Sequence, residues 1–145
     1  IGWLVGPHTE ISEVWKRRDY TTISTPILSN NIAAIVLQPD RRQKILERNR
    51  DILNTNLDVL TDWANSHGDL FSFRAPRAGG MVFLKYNLDI NSTNLVTKIR
   101  REKSTFIVAG DCFGMDRRVR IGIGAETDYL ARGLERISET LAELT

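Results

Sequence analysis

The stretch Arg118-Val119-Arg120-Ile121-Gly122-Ile123-Gly124 decides how the rest of the chain is read. In a strand, successive side chains point to opposite faces. Val119, Ile121 and Ile123 therefore share one apolar face, while Arg118, Arg120, Gly122 and Gly124 share the other. The apolar face should meet the helix that follows, in which Leu130, Leu134, Ile137, Leu141 and Leu144 step by four and three. The opposite face sets an arginine beside glycines, where another backbone or a ligand can come close. A guanidinium fork matches a carboxylate with two parallel hydrogen bonds, which lysine cannot reproduce. An arginine on a strand is, however, more often a surface residue paired with Asp or Glu, and spacing alone leaves Arg120 open between the two roles. Gly122-Ile123-Gly124 does not complete a dinucleotide fingerprint, because Thr127 stands where a third glycine is needed.

Upstream, Thr105–Ala109 and Met81–Tyr86 carry β-favouring residues and are expected to be strands, with a further short strand over 70–74. Between them, Ser92 to Glu102 has Leu95, Val96 and Ile99 at helical spacing, with Ser92 as the expected cap. Pro39 to Gly68 reads as one amphipathic helix of about seven turns, carrying Ile45, Leu46, Leu53, Leu57, Leu60 and Trp63. Toward the N-terminus, helices are expected over 10–18 and 27–37, joined by the hydroxyl-rich loop 19–26. Ile1 to Val5 is expected to be a strand, and a strand opening the chain without an initiator methionine suggests a piece of a longer protein. The apolar residues of 1–5 and 27–37 are expected to be exposed, a surface that would promote self-association.

The fold class that follows is α/β: a small, mostly antiparallel sheet packed with helices, preceded by a long helix and a helical appendage. The expected division is 1–38, then the long helix 39–68, then a small α/β domain over 69–145.

Composition narrows the function. With 20 basic and 18 acidic residues, the formal charge is only +2, and the arginine pairs lie on separate elements among acidic residues. Nucleic acid is therefore not an expected partner. No apolar run approaches the ~20 residues of a membrane span. Cys112 is the single cysteine, which excludes an intrachain disulfide and points to a cytoplasmic setting. His8 and His67, the two histidines, are too few for a structural zinc site and read most simply as solvated residues at element boundaries. Cys112 has no basic activator nearby in sequence and reads as an incidental or buried thiol.

The order of these pieces resembles the fold-type I, aspartate aminotransferase-like enzymes of class I and II. Ile1-Gly2-Trp3-Leu4-Val5-Gly6-Pro7 is similar to the strand that follows the cofactor lysine there, and Pro76–Phe83 to the strand of the family's C-terminal small domain. Val108-Ala109-Gly110-Asp111-Cys112-Phe113-Gly114 is similar to the Pro-Gly-x-x-Phe-Gly turn, with Ala109 in place of proline. Arg118–Gly124 and the closing helix resemble the family's arginine strand and last helix.

The resemblance implies a C-terminal part of an aminotransferase that moves an amino group between an amino acid and a 2-oxo acid with pyridoxal 5'-phosphate. Residues 1–38 would be a remnant of the large domain. Arg120 would grip the substrate α-carboxylate and orient the Cα–H bond. Thr22 and Ser24, in a loop resembling one that approaches the neighbouring subunit of an obligate homodimer, are candidates for a cofactor or partner-subunit site. The Schiff-base lysine of the family would lie upstream of Ile1, so no catalytic residue is expected within the chain, nor a metal. The polypeptide alone is then expected to be inactive and not to hold the cofactor. Another fold-type I enzyme, such as a carbon–sulfur lyase, and a non-catalytic α/β binding module with a structural Arg120 are the alternatives.

Overall fold

The computed structural model describes residues 1–144. The chain divides into two compact units, Ile1–Glu47 and Arg48–Thr145.

The first unit holds α1 (His8–Arg18), α2 (Ile27–Val36) and the start of α3 (Pro39–Ser66). Pro7 and Pro26 stand immediately before α1 and α2 with extended backbones, and Pro39 is the first residue of α3. A fixed φ and a missing N–H cost nothing at such a start, where the amide would have no intrahelical partner. Ile1 to Val5 is not a strand: it has no regular structure, and all five residues are exposed. A strand needs a neighbour to take its backbone hydrogen bonds, and these residues have none among the described residues. Apolar exposure in this unit is extensive, with Val5 93%, Ile27 79% and Leu28 69% accessible.

The second unit is an α/β layer. Its strands are β1 (Phe71–Ser72), β2 (Met81–Tyr86), β3 (Val108–Ala109) and β4 (Arg118–Gly122), in the order β1-β2-β4-β3, every pairing antiparallel. Two helices, α4 (Ser92–Lys103) and α5 (Thr127–Ala142), join the same core. Strand β2 buries Val82, Leu84 and Tyr86, and β4 buries Val119 and Ile121. Ile123, just beyond β4, is 1% exposed. These residues share one core with Leu95 and Ile99 of α4 and with Leu130, Leu134, Ile137 and Leu141 of α5. The period-two reading of the arginine strand therefore holds.

From α3 the core receives Leu60 and Ala64, together with one polar side chain, Asn56, which is fully buried. Its Nδ2 donates to Ile123 O at 2.8 Å and to Ala125 O at 2.7 Å. Those carbonyls lie past the end of β4, where no strand pairing satisfies them, so the amide ties the long helix to the exit of the arginine strand.

Three local expectations change. The cap of α4 is Asn91, whose side chain accepts from the backbone N–H groups of Thr93 and Asn94; Ser92 is the first helical residue. Strand β3 covers two of the five residues expected, because pairing with β4 is confined to Val108 and Ala109. His67 is not a solvated boundary residue. It is half-buried, with ring centroids 4.9 Å from Trp63 and 5.8 Å from Phe71. Its Nδ1 lies 2.8 Å from Trp63 O, which fixes that nitrogen as the donor, and Nε2 lies 3.0 Å from Ser138 Oγ. Trp63 Nε1 donates to the same Ser138 hydroxyl, so the cluster joins α3 to α5.

Candidate functional site

Strand register places Arg120 directly opposite Phe83 on β2 and Val108 on β3, on the face away from the apolar core. Its guanidinium carbon lies 5.0 Å from the ring centroid of Phe113, a cation–π contact. Phe113 in turn meets Phe83 edge-on, with centroids 5.9 Å apart and planes at 88°. With Met81, Val82 and Met115, these three residues line a cavity of about 230 Å³. One cation thus stands among apolar and aromatic walls.

Arg120 makes no ion pair among the described residues, so the surface pairing with Asp or Glu that spacing allowed is not the arrangement found there. Its Nε is buried with no hydrogen-bond partner, whereas the terminal nitrogens are not buried in this way. Other basic residues behave differently. Arg117 pairs with Asp89 at 2.6 Å, and Lys98 and Lys103 pair with Glu102, Glu139 and Glu143. A half-buried guanidinium left unpaired in such surroundings is suited to an anionic ligand, above all a planar carboxylate.

The turn that carries Phe113 is held at several points. It begins at Gly110, where a Cβ would sit 2.7 Å from Arg118 O and 2.8 Å from Arg118 Cβ, so no side chain fits. A 3-10 turn over Gly110–Phe113 ends at Gly114 with φ +69°, a conformation that glycine adopts without steric cost. Asp111 accepts from Thr93 Oγ1 at 2.6 Å, and its own N–H donates to Ser92 Oγ at 3.1 Å. Asp116 Oδ1 accepts the backbone N–H of Ser92 and of Arg117, each at 2.7 Å. These bonds hold the Asp111 carboxyl below its ordinary range and that of Asp116 down to about 2. Tyr86 closes the same region by donating to Ile90 O, its hydroxyl pushed up to about 12 mainly by burial.

Thr22 and Ser24 lie in the first unit, in the exposed turn between α1 and α2. The backbone N–H of Ser24 donates to Thr22 O, and Ile23 between them has φ +56°. Every residue lining the Arg120 cavity belongs to the second unit. Phe83 and Phe113 are the site residues that sequence patterning did not assign. Phe113 stands in the glycine-bounded turn and Phe83 alternates with the core residues of β2, but only strand pairing brings Phe83, and only the fold of the turn brings Phe113, to the arginine. Cys112 is exposed. A larger cavity, about 540 Å³, lies on the other side of β4, where Ile121 and residues of α5 line it. Among the described residues there is no cluster of metal ligands and no helix long and apolar enough to cross a membrane.

Residues 1–137 match the family described as aminotransferase class I and II. The chain belongs to that family. It is 30% identical over 141 residues, 97% of its length, to capreomycidine synthase of Streptomyces vinaceus, of which the match covers 36%. It is also 30% identical to a PLP-dependent aminotransferase from Streptococcus suis, with a TM-score of 0.89 over 99% of this chain and 38% of that structure. An aromatic aminotransferase from Pyrococcus horikoshii shares the fold at 20% identity, with a TM-score of 0.82 over 96% of this chain and 38% of that one. The chain thus spans less than two-fifths of the length of these relatives.

Proposed function

We propose that this chain is the C-terminal, substrate-gripping part of a pyridoxal-phosphate-dependent aminotransferase that transfers an amino group between an amino acid and a 2-oxo acid. The observation that carries the reading is Arg120: half-buried, without an anionic partner among the described residues, and laid against Phe113. Bound there by two parallel hydrogen bonds, an α-carboxylate fixes the orientation of the Cα–H bond.

Pyridoxal phosphate supplies an electron sink for the electrons released at Cα. The Arg120 cavity contains no lysine to attach it, and Lys98 and Lys103 are committed to Glu102, Glu139 and Glu143. The residues here fit the substrate rather than the cofactor's anchor. The lysine is proposed to lie in the remainder of the protein, N-terminal to Ile1, and the chain alone to be inactive. Residues 1–38 would then belong to the large domain, 39–68 would link it to the small domain, and 69–145 would form the small domain. The exposed apolar residues of 1–5 and α2 support burial against that remainder or against a second subunit, the latter in a homodimer. Thr22 and Ser24 remain candidates for a cofactor or partner-subunit contact. The exposed, unpaired Cys112 accords with a cytoplasmic enzyme.

The test is to express the full-length protein and follow cofactor absorbance and 2-oxo acid formation across a panel of amino acids. Arg120→Ala should weaken amino-acid binding by about 100-fold or more, the size expected when two charge-assisted hydrogen bonds are lost, with cofactor attachment intact. An unchanged response to amino acids would remove Arg120 from the site. A second reading, a pyridoxal-phosphate enzyme that does not transaminate, is favoured by the 30% identity to a protein named a synthase rather than an aminotransferase. Finding no 2-oxo acid while the amino acid is still consumed would select it.

A further inference from the structure

We propose that Phe113 is a positioning residue for Arg120, its ring holding the guanidinium so that the two terminal nitrogens, rather than Nε, meet the substrate carboxylate. The proposal rests on the carboxylate-binding reading above and adds to it the agent that aims the clamp. An arginine stem is long and flexible, and a bidentate contact needs the fork held in one plane before the ligand arrives. Strand β4 fixes only the Cα of Arg120.

The far end of the side chain rests on Phe113, 5.0 Å from its ring centroid. That ring is held edge-on by Phe83, the residue paired with Arg120 across the strands. The three side chains therefore brace one another. With Nε buried and unpartnered, the accessible edge of the fork is the one formed by the two terminal nitrogens. A carboxylate arriving from solvent meets that edge end-on.

Phe113 is 47% exposed, so burial of its own surface does not account for its place. Its position is imposed by the turn, through the space-limited Gly110, the left-handed Gly114 and the bonds of Asp111 to Ser92 and Thr93. The turn thus transmits the position of the α4 N-terminus to the orientation of Arg120.

The experiment uses the full-length enzyme with cofactor bound, and the α-methyl analogue of whichever amino acid the wild type accepts. Such an analogue lacks the Cα–H and reports binding without turnover. Phe113→Leu should weaken binding about 3- to 10-fold, as expected for loss of a cation–π contact, and Phe113→Tyr should remain within about twofold of wild type. Phe113→Leu introduced beside Arg120→Ala should cause no further loss, because a residue that acts through Arg120 has nothing left to aim. Thermal unfolding of each variant separates binding from stability. The proposal is overturned if Phe113→Leu leaves affinity unchanged while Arg120→Ala weakens it, or if the leucine variant loses as much affinity without Arg120 as with it. If Arg120→Ala is itself silent, the carboxylate reading has failed, and this inference falls with it.

Discussion

Asn56 offers the sharpest test of how the arginine strand is held. Its amide is fully buried and gives two hydrogen bonds, to Ile123 O at 2.8 Å and Ala125 O at 2.7 Å. Asn56→Ala removes both donors. The Ile123 carbonyl lies in a buried bond and loses its partner outright, while that of Ala125 is only partly buried and can recruit water. Against this loss stands one gain: Asn56 Oδ1 is itself buried without a partner among the described residues, and the substitution removes it. With about 1–3 kcal/mol for an orphaned buried group and somewhat less for the partly wetted one, the net cost should be about 2 kcal/mol. Asn56→Asp should be worse than alanine at neutral pH, since it sets a carboxylate against two carbonyl oxygens in a dry site. Such a carboxyl would titrate above its unfolded value, so its penalty should shrink as the pH is lowered and the group becomes neutral. Urea denaturation of the three proteins at pH 7 and pH 5 measures these differences. An Asn56→Ala variant within about 0.5 kcal/mol of wild type, or an aspartate variant no worse than alanine at pH 7, would refute the accounting.

Two glycines should respond in opposite directions. Gly110→Ala forces a Cβ into the backbone around Arg118 and should destabilise by more than about 2 kcal/mol, whereas Gly133→Ala, in α5 with nothing within 4 Å of the added carbon, should stabilise by up to about 1 kcal/mol. Paired thermal melts check both, and a neutral Gly110→Ala would contradict the crowding. The third prediction concerns acid. Because the folded carboxyl of Asp116 is held at about 2, below its ordinary 3.8, its stabilisation is complete above the unfolded value and disappears as the pH falls from about 4 to about 2. Asp116→Asn should flatten that part of the stability–pH profile measured by denaturant unfolding; an unchanged acid limb would show that other carboxyls set it.

The elements differed in how plainly they could be read. The long helix, β2, β4 and α5 were legible because each carries its burial pattern within a single element: period two in Val119, Ile121 and Ile123, and helical spacing in Leu130, Leu134 and Ile137. Asn91 was missed as a cap because Ser92 beside it is an equally good capping type, and only backbone geometry separates them. Ile1–Val5 has strand-forming residues but no strand, because strand propensity describes fitness for a sheet, not the presence of a neighbouring strand.

The candidate site divides in the same way. Local alternation in the sequence put Arg120 on the face away from the core, and the chemistry of the guanidinium named a carboxylate as its fitting ligand. Its partners were not local. Phe83 is 37 positions away and Phe113 seven, and His67 lies 71 from Ser138. Periodicity says which way a side chain points, but only strand register and the turn after β3 decide what it meets. The sequence by itself therefore determined the long helix, β2, β4, α5 and the face on which the arginine stands. Tertiary structure alone decided that this arginine has no ion-pair partner among the described residues and rests on Phe113, itself met edge-on by Phe83, because those properties depend on contacts between segments that the chain order keeps apart.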